Sequence, residues 1–182
     1  MFKYIISILL GVMMTAQVHA ADVENTIYLE TIHGRIVIEL LPEKAPKHVE
    51  RIKELSRAGF YNDIVFHRVI DGFMAQTGDP TGTGMGSSDK PDLKAEFNDV
   101  SHKRGVVSMA RAANPHSANS QFFIVLEDSP FLDRQYTAFG RVTSGMEHVD
   151  AIKKGNKQRN GEVSDPDKIV TMTVAADVEK TE

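Results

Sequence analysis

One arginine, Arg68, stands inside an apolar run in the stretch 66–79. An aromatic ring, a thioether and an amide follow it at close spacing, as Phe73, Met74 and Gln76. A charged guanidinium among apolar side chains is costly to leave without a partner. Arg68 is therefore either paired with a buried carboxylate, which is the commoner arrangement, or displayed at the mouth of an apolar cleft.

A second stretch, 120–124, offers another amide beside aromatic rings, since Gln121 directly precedes Phe122 and Phe123. The segment from Ser108 to Arg111 accompanies it. If the two stretches form opposite walls of one groove, that groove is apolar with a few fixed donors, as binding sites tend to be. The second stretch therefore favours the cleft over the buried ion pair.

Nucleophilic, metal-dependent and nucleotide-dependent chemistry all lack their sequence motifs. Ser108 and Ser120 lie in predicted strands, and no Gly-x-Ser-x-Gly elbow is present. Histidines 33, 48, 67, 102, 116 and 148 are scattered without a His-Glu-x-x-His pair, and His67 is predicted to pack and hydrogen-bond rather than to titrate. The chain has no cysteine, which excludes a thiolate nucleophile and a cysteine metal site. The Gly-rich segment 82–86 matches neither nucleotide-binding fingerprint.

A groove of this kind cannot cut bonds, but it can grip a backbone and lower a rotational barrier. An X–Pro peptide bond rotates over a barrier of about 18–20 kcal/mol because the nitrogen lone pair is shared with the carbonyl. An arginine N–H aimed at the prolyl nitrogen would localise that lone pair, and arginine donates through a rigid, permanently charged fork. One well-placed donor is typically worth about 3–4 kcal/mol in a transition state.

The elements that must position these residues are mostly short strands. Alternating patterns around the turn at His33-Gly34 predict a β-hairpin, and Pro46 suits the first turn of a helix. Strands are predicted over 25–32, 35–41, 64–70, 73–77, 105–110, 120–126, 137–142 and 168–176, and helices over about 45–58 and 146–152. In the last strand, Val170, Met172 and Val174 are predicted to share one face. Without a βαβ rhythm, the pattern predicts a mainly β fold: a closed eight-stranded antiparallel β-barrel capped by two α-helices.

The N-terminus is predicted to be a secretory signal peptide over 1–20, followed by a single domain over 21–182. Lys3 precedes an apolar run from Tyr4 to Met14, and small residues lead up to Ala20. A retained membrane anchor is the alternative, but the run is short for a span, which needs about 20 residues. The chain carries a formal charge of −4, which argues against nucleic acid as a partner.

The chain resembles the cyclophilin-type peptidyl-prolyl cis-trans isomerases of the bacterial exported kind. The resemblance is carried by Phe66-His67-Arg68-Val69-Ile70, Gly72-Phe73-Met74, Gln76, Gly78-Asp79, Ser120-Gln121-Phe122-Phe123-Ile124 and Phe139-Gly140, in the family's order and spacing. It covers about 26–174. It implies a periplasmic isomerase that acts on proline-containing polypeptides as a monomer, without a membrane anchor after signal cleavage.

The resemblance also assigns residues to roles. The catalytic group would be Arg68, and His67 would lie beside it. The proline pocket would be formed by Phe73, Met74, Phe123 and Leu132, and the substrate backbone would be gripped by Gln76, Gln121 and the main chain at Ala110 and Arg111. Family members need no metal or cofactor, so none is expected here.

The residues that depart from the family pattern lie around the substrate-binding groove, whereas the position of the catalytic arginine matches the family. Asp71 stands where eukaryotic members often have proline, and Arg111 where many have asparagine. Phe131 and Tyr136 would line the substrate-binding groove, at positions that are often tryptophan and histidine in the family, so weak cyclosporin binding is expected. Two other readings stay open: a chaperone module that binds proline segments with incidental turnover, and a structural subunit of an envelope assembly.

Overall fold

The structure is a computed structural model that describes residues 22–178. The predicted signal peptide over 1–20 lies outside the described residues. Within these residues there are eight strands: β1 (Thr26–Thr31), β2 (Gly34–Leu40), β3 (Arg68–Ile70), β4 (Met74–Thr77), β5 (Val106–Met109), β6 (Phe122–Val125), β7 (Ala138–Ser144) and β8 (Ile169–Val174). The helices are α1 (Pro46–Arg57), α2 (Met146–Ala151) and α3 (Ala175–Val178), with short 3₁₀ turns at Val23–Asn25, Pro130–Leu132 and Lys157–Arg159.

The strands form one antiparallel sheet in the order β3-β4-β6-β5-β7-β2-β1-β8. Each predicted strand is present, although several are shorter than predicted. The greatest difference is in β3, where only Arg68–Ile70 is strand and Val65 makes an isolated bridge to Lys168.

The predicted closed barrel is wrong, because the sheet curls into a half-barrel whose edge strands β3 and β8 do not pair with each other. The outer edge of β3 is occupied by the 156–162 loop: Val69 donates to the Gly161 carbonyl and accepts from the Gly155 N–H, both at 2.8 Å. Nearer β8, the segments 63–66 and 167–169 are joined by three backbone hydrogen bonds around the isolated Val65–Lys168 bridge. The β3 edge is thus covered by a loop rather than closed by a strand.

Apolar alternation and helix geometry explain the main core. Ile27 and Leu29 of β1 pack with the alternate residues of β2. The predicted helix over 45–58 is confirmed as α1, which begins with Pro46 in its first turn and buries Val49, Ile52 and Leu55. The second predicted helix is confirmed as α2, whereas α3 was not predicted.

The predicted face pattern of the last strand fails at a bulge. Thr31 pairs with Ile169, but its neighbour Glu30 pairs with Thr171, so Val170 is an extra residue on β8. Val170 is 48% exposed, whereas Ile169 is buried on the same side as Met172. One added residue reverses every side-chain direction that precedes it.

Strand register brings the site residues into one row. Arg68 of β3 pairs with Gln76 of β4, Gln76 pairs with Phe123 of β6, and Phe123 pairs with Ser108 of β5. Paired residues point to the same face of a sheet. Phe123 accordingly belongs to a small second apolar cluster, while its neighbours in β6 point into the main core.

Candidate active site

A cavity of about 480 Å³ lies over this row of side chains. Most of the predicted site residues line it, namely His67, Arg68, Phe73, Met74, Gln76, Ala110, Arg111, Phe123, Leu132 and Tyr136. It is also lined by residues that the sequence did not single out: Thr83, Gly84, Met85, Arg159, Asn160 and Glu162. The structure thus brings the two predicted walls together in one groove.

The apolar part of the cavity, called here the proline pocket, consists of Phe73, Met74, Phe123 and Leu132. Met74, Phe123 and Leu132 are almost completely buried in the second apolar cluster. The Tyr136 ring meets Phe123 edge to face at 5.7 Å between centroids, which fixes the Phe123 ring. The pocket therefore presents a rigid apolar surface.

Phe131 takes a different position from the one expected. It does not line the cavity, and it is 62% exposed at the rim, where its ring lies 5.5 Å from that of Phe73. Its neighbour Leu132 in the same 3₁₀ turn points inward and is buried. Phe131 can therefore contact only the part of a ligand that extends beyond the pocket.

A chain of hydrogen bonds fixes the two glutamine amides. Gln121 Nε2 donates to the carbonyls of Gly86 at 2.8 Å and Gly84 at 3.1 Å, so its Oε1 faces Gln76. Gln76 Nε2 donates to that oxygen at 2.9 Å, and Gln76 Oε1 in turn accepts from Arg68 Nη1 at 3.1 Å. The carbonyls of Gly84 and Gly86 thus determine the orientation of both glutamine amides, so that Gln76 presents its oxygen, and not its nitrogen, to the Arg68 guanidinium.

Arg68 is held by neutral acceptors. Its Nε donates to the Asn160 carbonyl and its Nη2 to Asn160 Oδ1, each at 2.9 Å. Within residues 22–178 it makes no ion pair, so the cleft alternative is confirmed over the buried carboxylate. Of the five guanidinium N–H groups, three are used, and one on each Nη remains for a ligand.

The environment of Arg68 is partly apolar. Burial lowers the pKa of the Arg68 guanidinium, and interaction with Tyr136 opposes that shift. Arginine nevertheless keeps its charge in proteins. A permanent cation with two free N–H donors therefore faces a partly buried groove, where its interactions are less screened than in bulk water.

His67 is buried beside Arg68, with 7% of its surface exposed. Among the described residues, neither ring nitrogen makes a hydrogen bond of normal geometry, so His67 packs as predicted but lacks the predicted hydrogen bond. Burial lowers the pKa of the imidazole, and the negative charge of Asp79 only partly opposes this. The ring is therefore a neutral wall of the cavity at physiological pH.

Arg111 stands between the main cavity and a second one of about 360 Å³. Its side chain packs on the 135–136 segment: Nη2 donates to the Gln135 carbonyl at 3.0 Å, and the guanidinium lies 4.7 Å from the Tyr136 ring centre. Among the described residues, its own peptide N–H and C=O have no hydrogen-bond partner. Gln121 lines the second cavity together with Gln76, Ala110 and Arg111.

Two loops complete the site and were missed from the sequence as parts of it. The 79–86 loop is organised by Asp79, whose carboxylate accepts from the N–H groups of Thr81 at 2.7 Å and Gly84 at 2.6 Å. The 156–162 loop supplies Asn160, which has a left-handed backbone with φ 53°. The pair Asn160-Gly161 is a turn signal, but nothing local shows that this turn meets Arg68.

Neither a metal centre nor a membrane-spanning helix is found in the part of the chain that the structure describes. No group of three or more His, Asp or Glu side chains within 22–178 could hold a metal ion. No helix in the same range is long and apolar enough to cross a bilayer.

Comparison with known proteins agrees with this geometry. A family model described as cyclophilin type peptidyl-prolyl cis-trans isomerase/CLD matches residues 26–174. A probable peptidyl-prolyl cis-trans isomerase of Brucella suis is 50% identical over 183 aligned residues, which cover 94% of this chain and 92% of that protein. A peptidyl-prolyl cis-trans isomerase-like 1 protein of Emericella nidulans is 42% identical, covering 71% of this chain and 84% of its own length.

Solved structures show the same fold. A cyclophilin from Hirschia baltica matches with a TM-score of 0.77 and 30% identity, over 86% of this chain and 76% of that one. A cyclophilin-type isomerase from Cryptosporidium parvum, crystallised in the presence of the dipeptide Ala-Pro, matches with a TM-score of 0.75 and 30% identity, over 82% of this chain and 98% of that one. The chain therefore belongs to the cyclophilin-type peptidyl-prolyl cis-trans isomerases, and its activity is the cis-trans isomerisation of X–Pro peptide bonds.

Proposed function

We propose that Arg68 is the catalytic group of this isomerase. The observation that carries the proposal is the state of its guanidinium, which is held by neutral acceptors and keeps one N–H free on each Nη beside the proline pocket. An N–H donated to the prolyl nitrogen competes with the carbonyl for the nitrogen lone pair. Double-bond character falls in the twisted state, where the lone pair is localised, so the interaction is strongest in the transition state.

The remaining groups hold the substrate while one side of the bond rotates. The proline ring fits the pocket of Phe73, Met74, Phe123 and Leu132, since that pocket is apolar and rigid. The free peptide groups of Arg111 are available to an extended substrate backbone that crosses between the two cavities. Gln76 retains one spare N–H, whereas both N–H groups of Gln121 are used by loop carbonyls. Gln121 therefore acts mainly by fixing Gln76.

The clients are proposed to be exported polypeptides that fold in the periplasm. The support is the N-terminal sequence, with Lys3, an apolar run and small residues up to Ala20. Expression of the full chain followed by fractionation, with N-terminal sequencing of the product, tests this location. A protein recovered in the cytosol with Met1 intact would refute the location and leave the isomerase activity unaffected.

The alternative function, a chaperone module that binds proline-containing segments, differs from an enzyme in how much it accelerates cis-trans exchange. A pure binding module has no need of a cation with free donors at the prolyl nitrogen, so Arg68 favours catalysis. The decisive experiment measures exchange between cis and trans Ala-Pro peptide by NMR at catalytic protein concentrations, with and without EDTA. We expect accelerated exchange that EDTA leaves unchanged. Binding of the peptide without acceleration would support the chaperone reading, and loss of activity restored by added metal would refute the cofactor-free mechanism.

A further inference from the structure

We infer that Asn160 is a positioning residue for the catalytic arginine. Asn160 accepts two hydrogen bonds from one edge of the Arg68 guanidinium, through its carbonyl from Nε and through Oδ1 from Nη2, each at 2.9 Å. A planar guanidinium held along one edge at two points can neither translate along that edge nor rotate in its plane. The inference rests on the proposed role of Arg68.

The backbone of Asn160 makes this double contact possible. Its φ of 53° and ψ of 33° place it in the left-handed region, where its carbonyl and its side chain both point at the same guanidinium. Among non-glycine residues, asparagine and aspartate accept this conformation most readily. Glycine would tolerate the backbone but has no second acceptor, and alanine lacks the acceptor and is strained.

The loop that carries Asn160 is itself fixed to the strand that carries Arg68. Gly161 N–H donates to the Asn156 carbonyl at 2.9 Å, and Val69 N–H donates to the Gly161 carbonyl at 2.8 Å. Gly161 follows Asn160 and Val69 follows Arg68, so the neighbours of the two residues are hydrogen-bonded to each other. Asn156 Oδ1 also accepts from the Gln158 N–H at 2.8 Å, which caps the 3₁₀ turn. The acceptor pair is therefore preorganised before any substrate arrives.

Asn160 and Gln76 together determine which donors remain free. Asn160 uses the Nε–Nη2 edge, and Gln76 uses one N–H of Nη1. Because both partners are neutral, they orient the cation without cancelling its charge. A carboxylate at either place would hold the guanidinium and also weaken its interaction with the prolyl nitrogen.

The test compares Asn160→Gly and Asn160→Asp with wild type in kcat and KM for an Ala-Pro peptide. Asn160→Gly keeps the left-handed backbone and the carbonyl acceptor, so folding is preserved while Oδ1 is lost. We expect kcat to fall by about tenfold, with KM changed by less than about twofold, because the arginine contact strengthens in the transition state. Asn160→Asp restores an acceptor and is expected to recover part of kcat over the glycine variant.

Asp165→Gly is the matched control. Asp165 also has a left-handed backbone, with φ 52°, and its side chain is fully exposed and does not contact the groove. The control is expected to retain wild-type kcat. A second readout is the ¹⁵N signals of the Arg68 Nη atoms, which we expect to be distinct in wild type and averaged by rotation in Asn160→Gly.

Two results would overturn the inference: a kcat for Asn160→Gly within twofold of wild type, or equal losses in Asn160→Gly and Asp165→Gly. Arg68→Ala, measured in the same series, separates the two levels of the account. If Arg68→Ala retains full activity, the proposed catalytic role itself fails; if only Asn160→Gly is unaffected, only the positioning role fails.

Discussion

Gln76 of β4 and Gln121, which immediately precedes β6, are joined by a hydrogen bond of 2.9 Å from Gln76 Nε2 to Gln121 Oε1. The carbonyls of Gly84 and Gly86 in the 79–86 loop orient the amide of Gln121. The Gln121 amide in turn orients the amide of Gln76, whose oxygen accepts from Arg68. The loop and the guanidinium are thus coupled through fixed amide directions rather than through charge.

Gln76→Ala is expected to lower kcat/KM by about tenfold or more, since a hydrogen bond to a charged group is worth about 1.5–3 kcal/mol. The Arg68 guanidinium would keep its hydrogen bonds to Asn160 but lose the hydrogen bond from Nη1 to Gln76 on β4. Steady-state kinetics on an X–Pro peptide checks this. Gln158→Ala, an exposed glutamine in the 156–162 loop, is the control and should behave as wild type. Equal activity of both variants would show that the amide chain has no role in catalysis.

Asp79 should make the fold sensitive to acid. The residue is 1% exposed. Burial opposes ionisation of its carboxyl group, but hydrogen bonds from Thr81 and from the N–H groups of Gly86 and Gly84 outweigh this effect and lower the pKa to about 2. A lowered folded-state pKa contributes stability above the unfolded value, about 3.9. That contribution is lost as the pH falls through about 2.

Asp79→Asn is therefore expected to destabilise the protein by about 2 kcal/mol at neutral pH. The difference in free energy of unfolding between wild type and the variant should disappear between about pH 4 and pH 2. Denaturant unfolding at a series of pH values measures this difference. Asp89→Asn, an exposed carboxylate in the same surface region, is the control. A difference that stays constant down to pH 2 would show that ionised Asp79 does not organise the loop.

Turnover is expected to be nearly flat from about pH 6 to pH 9, because the proposed mechanism uses no general acid or base. His67 lines the groove beside Arg68, and burial lowers its pKa, so its neutral form is favoured over this range. Initial rates in buffers of constant ionic strength, with circular dichroism at each pH, provide the measurement. A bell-shaped profile with intact structure would give an acid or base a role that the account denies.

Cyclosporin is expected to bind weakly, and Phe131→Trp is expected to strengthen the binding. Phe131 offers an exposed ring against Phe73 but no N–H donor, whereas an indole at the rim supplies both. One such hydrogen bond is worth about 1 kcal/mol, or roughly fivefold in affinity. Titration followed by isomerase inhibition measures this, with turnover of the uninhibited enzymes as the control. If wild type already binds as tightly as the variant, Phe131 does not limit affinity.

Local patterns in the sequence predicted the elements better than their long-range relations. The hairpin around Gly34 and the helix after Pro46 follow from alternation and proline geometry, which depend on neighbours in the chain. Arg68, Gln76 and Gln121 were found because their residue types are unusual in apolar strands. The open edge of the sheet, the bulge at Val170 and the contact between Arg68 and Asn160, 92 residues apart, depend on tertiary packing. The pattern of residues within a single segment cannot predict contacts of this kind, because they depend on segments that are distant in the sequence.

The catalytic role of Arg68 is tested most directly by the turnover of Arg68→Ala, measured by cis-trans exchange of an Ala-Pro peptide. The variant should fold, since Arg68 lies at the groove and its partners are neutral amides, and thermal unfolding verifies this. We expect kcat to fall by about a hundredfold or more, the effect of removing a donor worth about 3–4 kcal/mol, while peptide affinity changes little. Arg68→Lys should also be poor, because lysine lacks the planar fork. A folded Arg68→Ala protein with kcat within twofold of wild type would contradict the central claim.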